Sequence, residues 1–75
     1  MRVQIPEIMY ALLERAALQE HTAEMAAEVA LEAERTGQNK TSEVMWEMAR
    51  RCHVRALKLR ADAVAQRGER WRMLP

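Results

Sequence analysis

Apolar residues recur at helical spacing along two long stretches of the chain, residues 7–36 and 43–67, and neither stretch contains glycine or proline. Both are rich in Ala, Leu, Met, Glu and Arg, the residues that favour helices. Between them, residues 36–42 read Thr-Gly-Gln-Asn-Lys-Thr-Ser, a composition typical of a turn. The pattern predicts an all-α fold, a helical hairpin of two long antiparallel helices in one domain spanning residues 1–75.

Local signals set the expected ends of the two helices. Pro6 suits the first position of a helix, and Glu7 favours the positive end of its dipole. The hydroxyl of Thr41 or Ser42 can cap the second helix, and Gly68 is its expected stop. We therefore expect helix 1 at about 6–36, a turn at 37–41, helix 2 at about 42–67 and a tail at 68–75.

Both predicted helices have an apolar surface too wide for a single neighbour. At 100° per residue, one broad face of helix 1 contains Ile5, Ile8, Leu12, Ala16, Ala23, Ala26, Val29, Ala30 and Ala33. One stripe of helix 2 contains Met45, Met48, Ala49, Cys52, Ala56, Leu59 and Ala63, and a second contains Trp46, His53, Leu57 and Val64. A homodimer of hairpins that closes a four-helix bundle would cover both helices, so we expect one.

Length and cysteine content support the expectation of a partner. A chain of 75 residues in two helices buries little apolar surface, and its one cysteine, Cys52, excludes an intrachain disulfide. Residues 1–6 have no apolar core of the kind that a signal peptide needs, and no stretch is apolar for long enough to span a bilayer. We expect a cytoplasmic protein that does not associate with membranes.

The formal net charge of +1 is distributed unevenly. Residues 1–37 contain three Arg and seven Glu, whereas residues 38–75 contain nine Lys or Arg and four Asp or Glu. An antiparallel register pairing residue i with about 77 − i places the ridge of Glu20, Glu24, Glu28 and Glu32 beside Arg50, Arg51, Arg55 and Lys58. The two helices are therefore expected to neutralise each other; the alternative is a basic surface for nucleic acid.

Candidate chemistry is sparse. His21, Glu24, Glu28 and His53 fall at similar heights in this register, but their spacing does not match the Glu-x-x-His pattern of bundle metal sites. Adjacent helical residues diverge by about 100°, so Cys52 and His53 do not form a nucleophile and base. There is no glycine-rich phosphate loop. We expect no enzyme activity, no metal and no cofactor.

Two surfaces are candidates for binding a partner protein. The first is the acidic ridge of Glu20, Glu24 and Glu28, and the second is the tail Arg70, Trp71 and Arg72, where an aromatic residue between two arginines has the composition of an interface anchor. The function expected from the residues is that of a small dimeric adaptor or inhibitor, a regulatory protein that acts by protein–protein interaction.

Residues 1–6 and 36–44 resemble parts of the ribbon-helix-helix family of DNA-binding proteins. Met-Arg-Val-Gln-Ile-Pro alternates polar and apolar residues before a helix, as in the family's strand, and Thr-Gly-Gln-Asn-Lys-Thr-Ser-Glu-Val is similar to its turn into the second helix. The resemblance implies an alternative function, a dimeric transcriptional regulator or antitoxin. Arg2 and Gln4 would then contact bases, and Lys40, Thr41 and Ser42 a phosphate.

Overall fold

The computed structural model describes the backbone of residues 5–72 and the side chains of residues 7–66. This part of the chain forms two α-helices, α1 (Ile5–Arg35) and α2 (Asn39–Arg72), which pack against each other along their lengths. The predicted all-α helical hairpin is confirmed. No helix among the described residues is both long enough and apolar enough to cross a membrane.

The ends of α2 differ from the expected ones. It begins at Asn39, earlier than the predicted residue 42, and it continues through Gly68 to Arg72, where a tail was expected. One glycine lowers helix stability by only about 1 kcal/mol, which the helix-forming residues around Gly68 offset. Because α2 starts before Thr41 and Ser42, neither hydroxyl occupies the predicted capping position.

A glycine-dependent cap ends α1. The N–H of Gln38 donates to the carbonyl of Ala33 at 2.7 Å, and the N–H of Gly37 donates to the carbonyl of Glu34 at 3.2 Å. This pair of hydrogen bonds is the Schellman motif, which requires a left-handed residue just after the helix. Gly37 supplies it with a φ of 77°. The chain therefore reverses direction within three residues, 36–38.

The seam between the helices is made of small side chains. The buried apolar residues among those described are seven alanines and one cysteine: Ala16, Ala26, Ala30, Ala33, Ala49, Cys52, Ala56 and Ala63. Ala16, Ala23 and Ala30 are seven residues apart on α1, as are Ala49, Ala56 and Ala63 on α2. A heptad repeat keeps the same side of each helix facing its partner, and small residues there allow the backbones to approach closely.

Many of the larger apolar side chains are exposed. Among the side chains of residues 7–66, ten of them are between 44% and 73% exposed: Tyr10, Leu18, Met25, Val29, Leu31, Val44, Met48, Val54, Leu57 and Val64. The hairpin measures 60 × 20 × 13 Å, so it is two helices wide and one helix thick. Stable domains normally pack two layers of secondary structure. Both broad flanks of this single layer are open.

Candidate interaction surfaces

One flank of the hairpin is organised around an ion pair between the two helices. The guanidinium of Arg60 donates through Nε to Oε1 of Glu20 at 2.7 Å and through Nη2 to Oε2 at 2.9 Å. Both side chains are roughly half-buried. The hydrogen bond from Arg60, reinforced by its charge and by nearby His53, lowers the pKa of Glu20 despite partial desolvation. We call the side of the hairpin on which Glu20 and Arg60 meet the paired flank.

A carboxylate near the turn holds the same flank together. Oε1 of Glu34 accepts hydrogen bonds from the indole Nε1 of Trp46 at 2.7 Å and from the hydroxyl of Ser42 at 3.2 Å. Ser42 is only 5% exposed. These contacts join the last turn of α1 to the first two turns of α2, so they fix the register of the helices close to the turn.

Between these polar contacts, the paired flank contains a shallow apolar depression. Its lining combines small, aromatic and charged side chains: Glu20, Ala23, Glu24, Ala27, Trp46, Ala49, Arg50 and His53. Leu31 follows Ala27 by four residues, and Leu57 follows His53 by four, so both lie on this flank. They are 56% and 53% exposed. The paired flank therefore offers exposed apolar surface beside the ion pair of Glu20 and Arg60, with the exposed carboxylate of Glu24 in its lining.

The opposite side, which we call the basic flank, has different chemistry. Its central depression, about 420 Å³ in volume, is lined by Arg15, Leu18, Gln19, Arg55, Lys58 and Leu59. A second depression of about 460 Å³ lies closer to the turn and is lined by Glu43, Val44, Glu47, Met48, Arg51, Cys52 and Arg55. Arg55 lines both, so the two depressions are neighbours along one groove.

The expected ionic ladder between the helices is largely wrong. Of the four glutamates in the predicted ridge, only Glu20 pairs across the hairpin among the described residues, and its partner is Arg60. Arg50 and Arg51 both pair with Glu47 on their own helix, and Arg50 lowers the pKa of Glu47 through a hydrogen bond. Partners three or four residues away are within reach without any bending of the helices, which explains the difference.

The predicted partner-binding residues have different positions. Glu20 is engaged by Arg60, whereas Glu24 and Glu28 are exposed. The backbone of residues 70–72 is part of α2, so Arg70, Trp71 and Arg72 do not form a tail beyond it. Their side chains lie outside the described part. The acidic ridge is therefore reduced to Glu24 and Glu28 as carboxylates that face solvent.

The residues that the DNA-binding resemblance singled out are also distributed unevenly. Arg2 and Gln4 lie outside the described residues. Lys40 and Thr41 are exposed in the first turn of α2, whereas the buried hydroxyl of Ser42 donates to Glu34. Ser42 therefore has a structural partner, and α1 continues without a break for 31 residues before this turn.

The histidines and glutamates that were considered as metal ligands do not form a cluster. Glu24 and His53 line the same depression, and His21 is exposed. Among the side chains of residues 7–66, no group of three His, Cys, Asp or Glu could hold a metal ion.

The sequence did not indicate that Arg15, Arg55 and Lys58 share one depression. The antiparallel register could have indicated it. The register places position 22 opposite Arg55, and Arg15 lies one heptad before position 22 on the same side of α1. No protein-family model matches the chain, and neither a curated protein nor a solved structure shows significant similarity to it.

Proposed function

We propose that this chain acts by binding other proteins and not by catalysis, and that it does so as a homodimer in which two hairpins close a four-helix bundle. The observation that supports this is the inverted distribution of apolar side chains. Alanines fill the seam, whereas ten larger apolar residues are 44–73% exposed. Such a distribution is typical of a surface that is covered in the assembled state.

The exposed area also fits association. The chain exposes 6326 Å², whereas a compact monomer of 8.7 kDa exposes about 4700 Å². A standard protein interface removes about 800 Å² from each partner. The excess is therefore large enough for one such interface and for a second contact beside it.

The paired flank is the better side for the second hairpin. Its ion pair, Glu20 with Arg60, and its Glu34 contacts satisfy these polar groups within the chain, so covering them leaves none of these groups unpaired. Glu24, which lines the same depression, would need a partner from the second hairpin. Leu31 and Leu57 would then pack against the other copy. In a two-fold symmetric dimer the same residues of both copies form the interface. A short chain can therefore build the interface from few residues.

The chain would regulate the partner that it binds, as a small adaptor or inhibitor does. Glu28 remains a candidate contact because it is exposed and does not line the depression of the paired flank, whereas Glu24 lines that depression and would face the second hairpin. The Arg70, Trp71, Arg72 segment remains a predicted anchor. Whether these residues contribute is tested by a charge change, Glu28→Lys, in a binding assay with a partner isolated by affinity capture. Binding weakened without loss of helicity would support the ridge; unchanged binding would remove it from the interface.

Matched variants test the dimer. Leu31→Glu and Leu18→Glu make the same change on the same helix, at residues that are 56% and 63% exposed, but on opposite flanks. We expect sedimentation equilibrium to show a dimer for Leu18→Glu and a shift towards monomer, by at least about tenfold in dissociation constant, for Leu31→Glu. Equal effects of the two changes would contradict the assignment of the paired flank.

A further inference from the structure

The basic flank has three cations without a carboxylate partner among the described residues. Arg15, Arg55 and Lys58 line its central depression, which contains no acidic residue. Among residues 7–66, none of these three side chains has a carboxylate oxygen within 4.0 Å. Their charges are thus available to an anionic group outside the chain.

Apolar side chains lie beside these cations. Leu18 is 63% exposed in the central depression, and Val44 and Met48, 60% and 44% exposed, line the neighbouring one. Met25 and Val29 follow Leu18 by seven and eleven residues, so they extend the apolar stripe along α1. The central depression therefore has apolar surface with a basic edge. The neighbouring depression also contains Glu43 and Glu47, and Arg50 and Arg51 neutralise Glu47.

The groove has the length of a short helix. From Val44 to Leu59, the residues that line the two depressions span 15 positions of α2, which corresponds to about 22 Å at 1.5 Å per residue. A bound helix of about four turns would bury its own apolar stripe against Leu18, Met25 and Met48. Acidic residues beside that stripe would reach Arg15, Arg55 and Lys58.

We infer that the basic flank binds an amphipathic helix of a partner protein whose apolar stripe is bordered by Asp or Glu. This inference rests on the proposed function and names the chemistry of the partner. Charge complementarity favours a peptide over nucleic acid, because a phosphate backbone would pair with the cations but leave Leu18, Met25 and Val44 uncovered. A helix with an acidic border satisfies both features together.

The probe for this inference is a fluorescein-labelled helical peptide of about 15 residues, with leucines at helical spacing bordered by glutamates. A second peptide of the same length replaces every glutamate by lysine. We expect anisotropy to report binding of the acidic peptide only, with affinity that falls as salt rises.

Arg55→Glu should weaken the affinity for the acidic peptide at least about tenfold. The matched control, Arg35→Glu, changes an exposed arginine that pairs with Glu32 near the turn, outside both depressions, and should leave it unchanged.

Several outcomes would overturn the inference. Equal binding of the two peptides, or equal loss in the Arg55 and Arg35 variants, would show that the groove does not select acidic helices. Binding of labelled duplex DNA, lost in Arg55→Glu and without peptide binding, would assign the flank to nucleic acid. Loss of dimer in Leu18→Glu would assign it to a second copy.

The same measurements separate failure of the inference from failure of the proposed function. A dimer that depends on Leu31 but does not bind the acidic peptide leaves the proposed function standing without this partner class. A monomer that binds neither peptide would contradict both.

Discussion

At the scale of single residues, the two glycines have opposite roles. Gly37 occupies the left-handed region with a φ of 77° and ends α1. Nothing lies within 4 Å of a Cβ built there, so the conformation alone opposes a side chain. Gly68 lies within α2, where the backbone is helical and a side chain would be preferred.

The two Gly→Ala changes should therefore have opposite signs. We expect Gly37→Ala to lower the free energy of unfolding by about 1 kcal/mol, since alanine is strained at positive φ. Gly68→Ala should raise it by about 0.5–1 kcal/mol, the usual gain within a helix. Urea denaturation followed by circular dichroism measures both. A loss of stability in Gly68→Ala would contradict the continuation of α2 past residue 67.

The pair between Glu20 and Arg60 predicts a pH dependence. Because the folded state lowers the pKa of Glu20, the pair stabilises the fold above the ordinary glutamate pKa, and this contribution disappears as the pH falls through the folded pKa. Glu20→Gln should therefore be slightly less stable than the original chain at pH 7, with the difference shrinking below about pH 4. The effect is small because both side chains are half-exposed.

Glu28→Gln is the control for this pH series. Glu28 is exposed and has no ion pair among the described residues, so this variant removes a carboxylate from the same helix without removing a cross-helix pair. Unfolding is followed by urea titration across the acidic range. Identical pH profiles for the two variants would mean that the cross-helix pair makes no contribution.

At the scale of the helices, the alanine seam sets how closely α1 and α2 approach. Ala30 is fully buried, with 0% exposure. Leucine at this position would force the helices apart or displace neighbouring alanines, and overpacking of this kind costs about 1–3 kcal/mol. Ala61→Leu makes the same change at an exposed position of α2 and should be nearly neutral. Thermal unfolding distinguishes them; equal melting temperatures would contradict a close-packed seam.

The helices themselves could be predicted from the sequence because their spacing and composition are local signals. The turn at Gly37 followed from the one glycine between them. The sequence also placed Ala16, Ala30 and Ala56 on inward faces, but it grouped Val29 and Met48 with them, and these are 47% and 44% exposed. A hydrophobicity pattern predicts that large apolar residues are buried. In a close contact between two helices, however, the space between the backbones accommodates only small side chains.

The interaction surfaces were harder to predict because they depend on the register of two helices. The pairing of Glu20 with Arg60, the Glu34 contact to Trp46 and the shared depression of Arg15 with Arg55 each join residues at least 12 positions apart. A shift of a few residues would change every one of them. The acidic ridge was visible in the sequence, but the local pairing of Arg50 and Arg51 with Glu47 was not expected.

At the scale of the whole molecule, the hairpin has no interior beyond its seam. Its radius of gyration is 17.1 Å, whereas a compact domain of this length has one of about 11 Å. An elongated single layer leaves both flanks in solvent, one with the ion pair of Glu20 and Arg60 and the other with Arg15, Arg55 and Lys58. We propose that the folded unit is an assembly of hairpins.

The most direct test is the molar mass of the original chain, measured by light scattering after size-exclusion chromatography at several concentrations. We expect twice the 8.7 kDa of one chain, and a melting temperature that rises with concentration because dimerisation is coupled to stability. A mass of one chain at every concentration, together with cooperative unfolding independent of concentration, would show that the hairpin is stable alone and would contradict the proposed dimer.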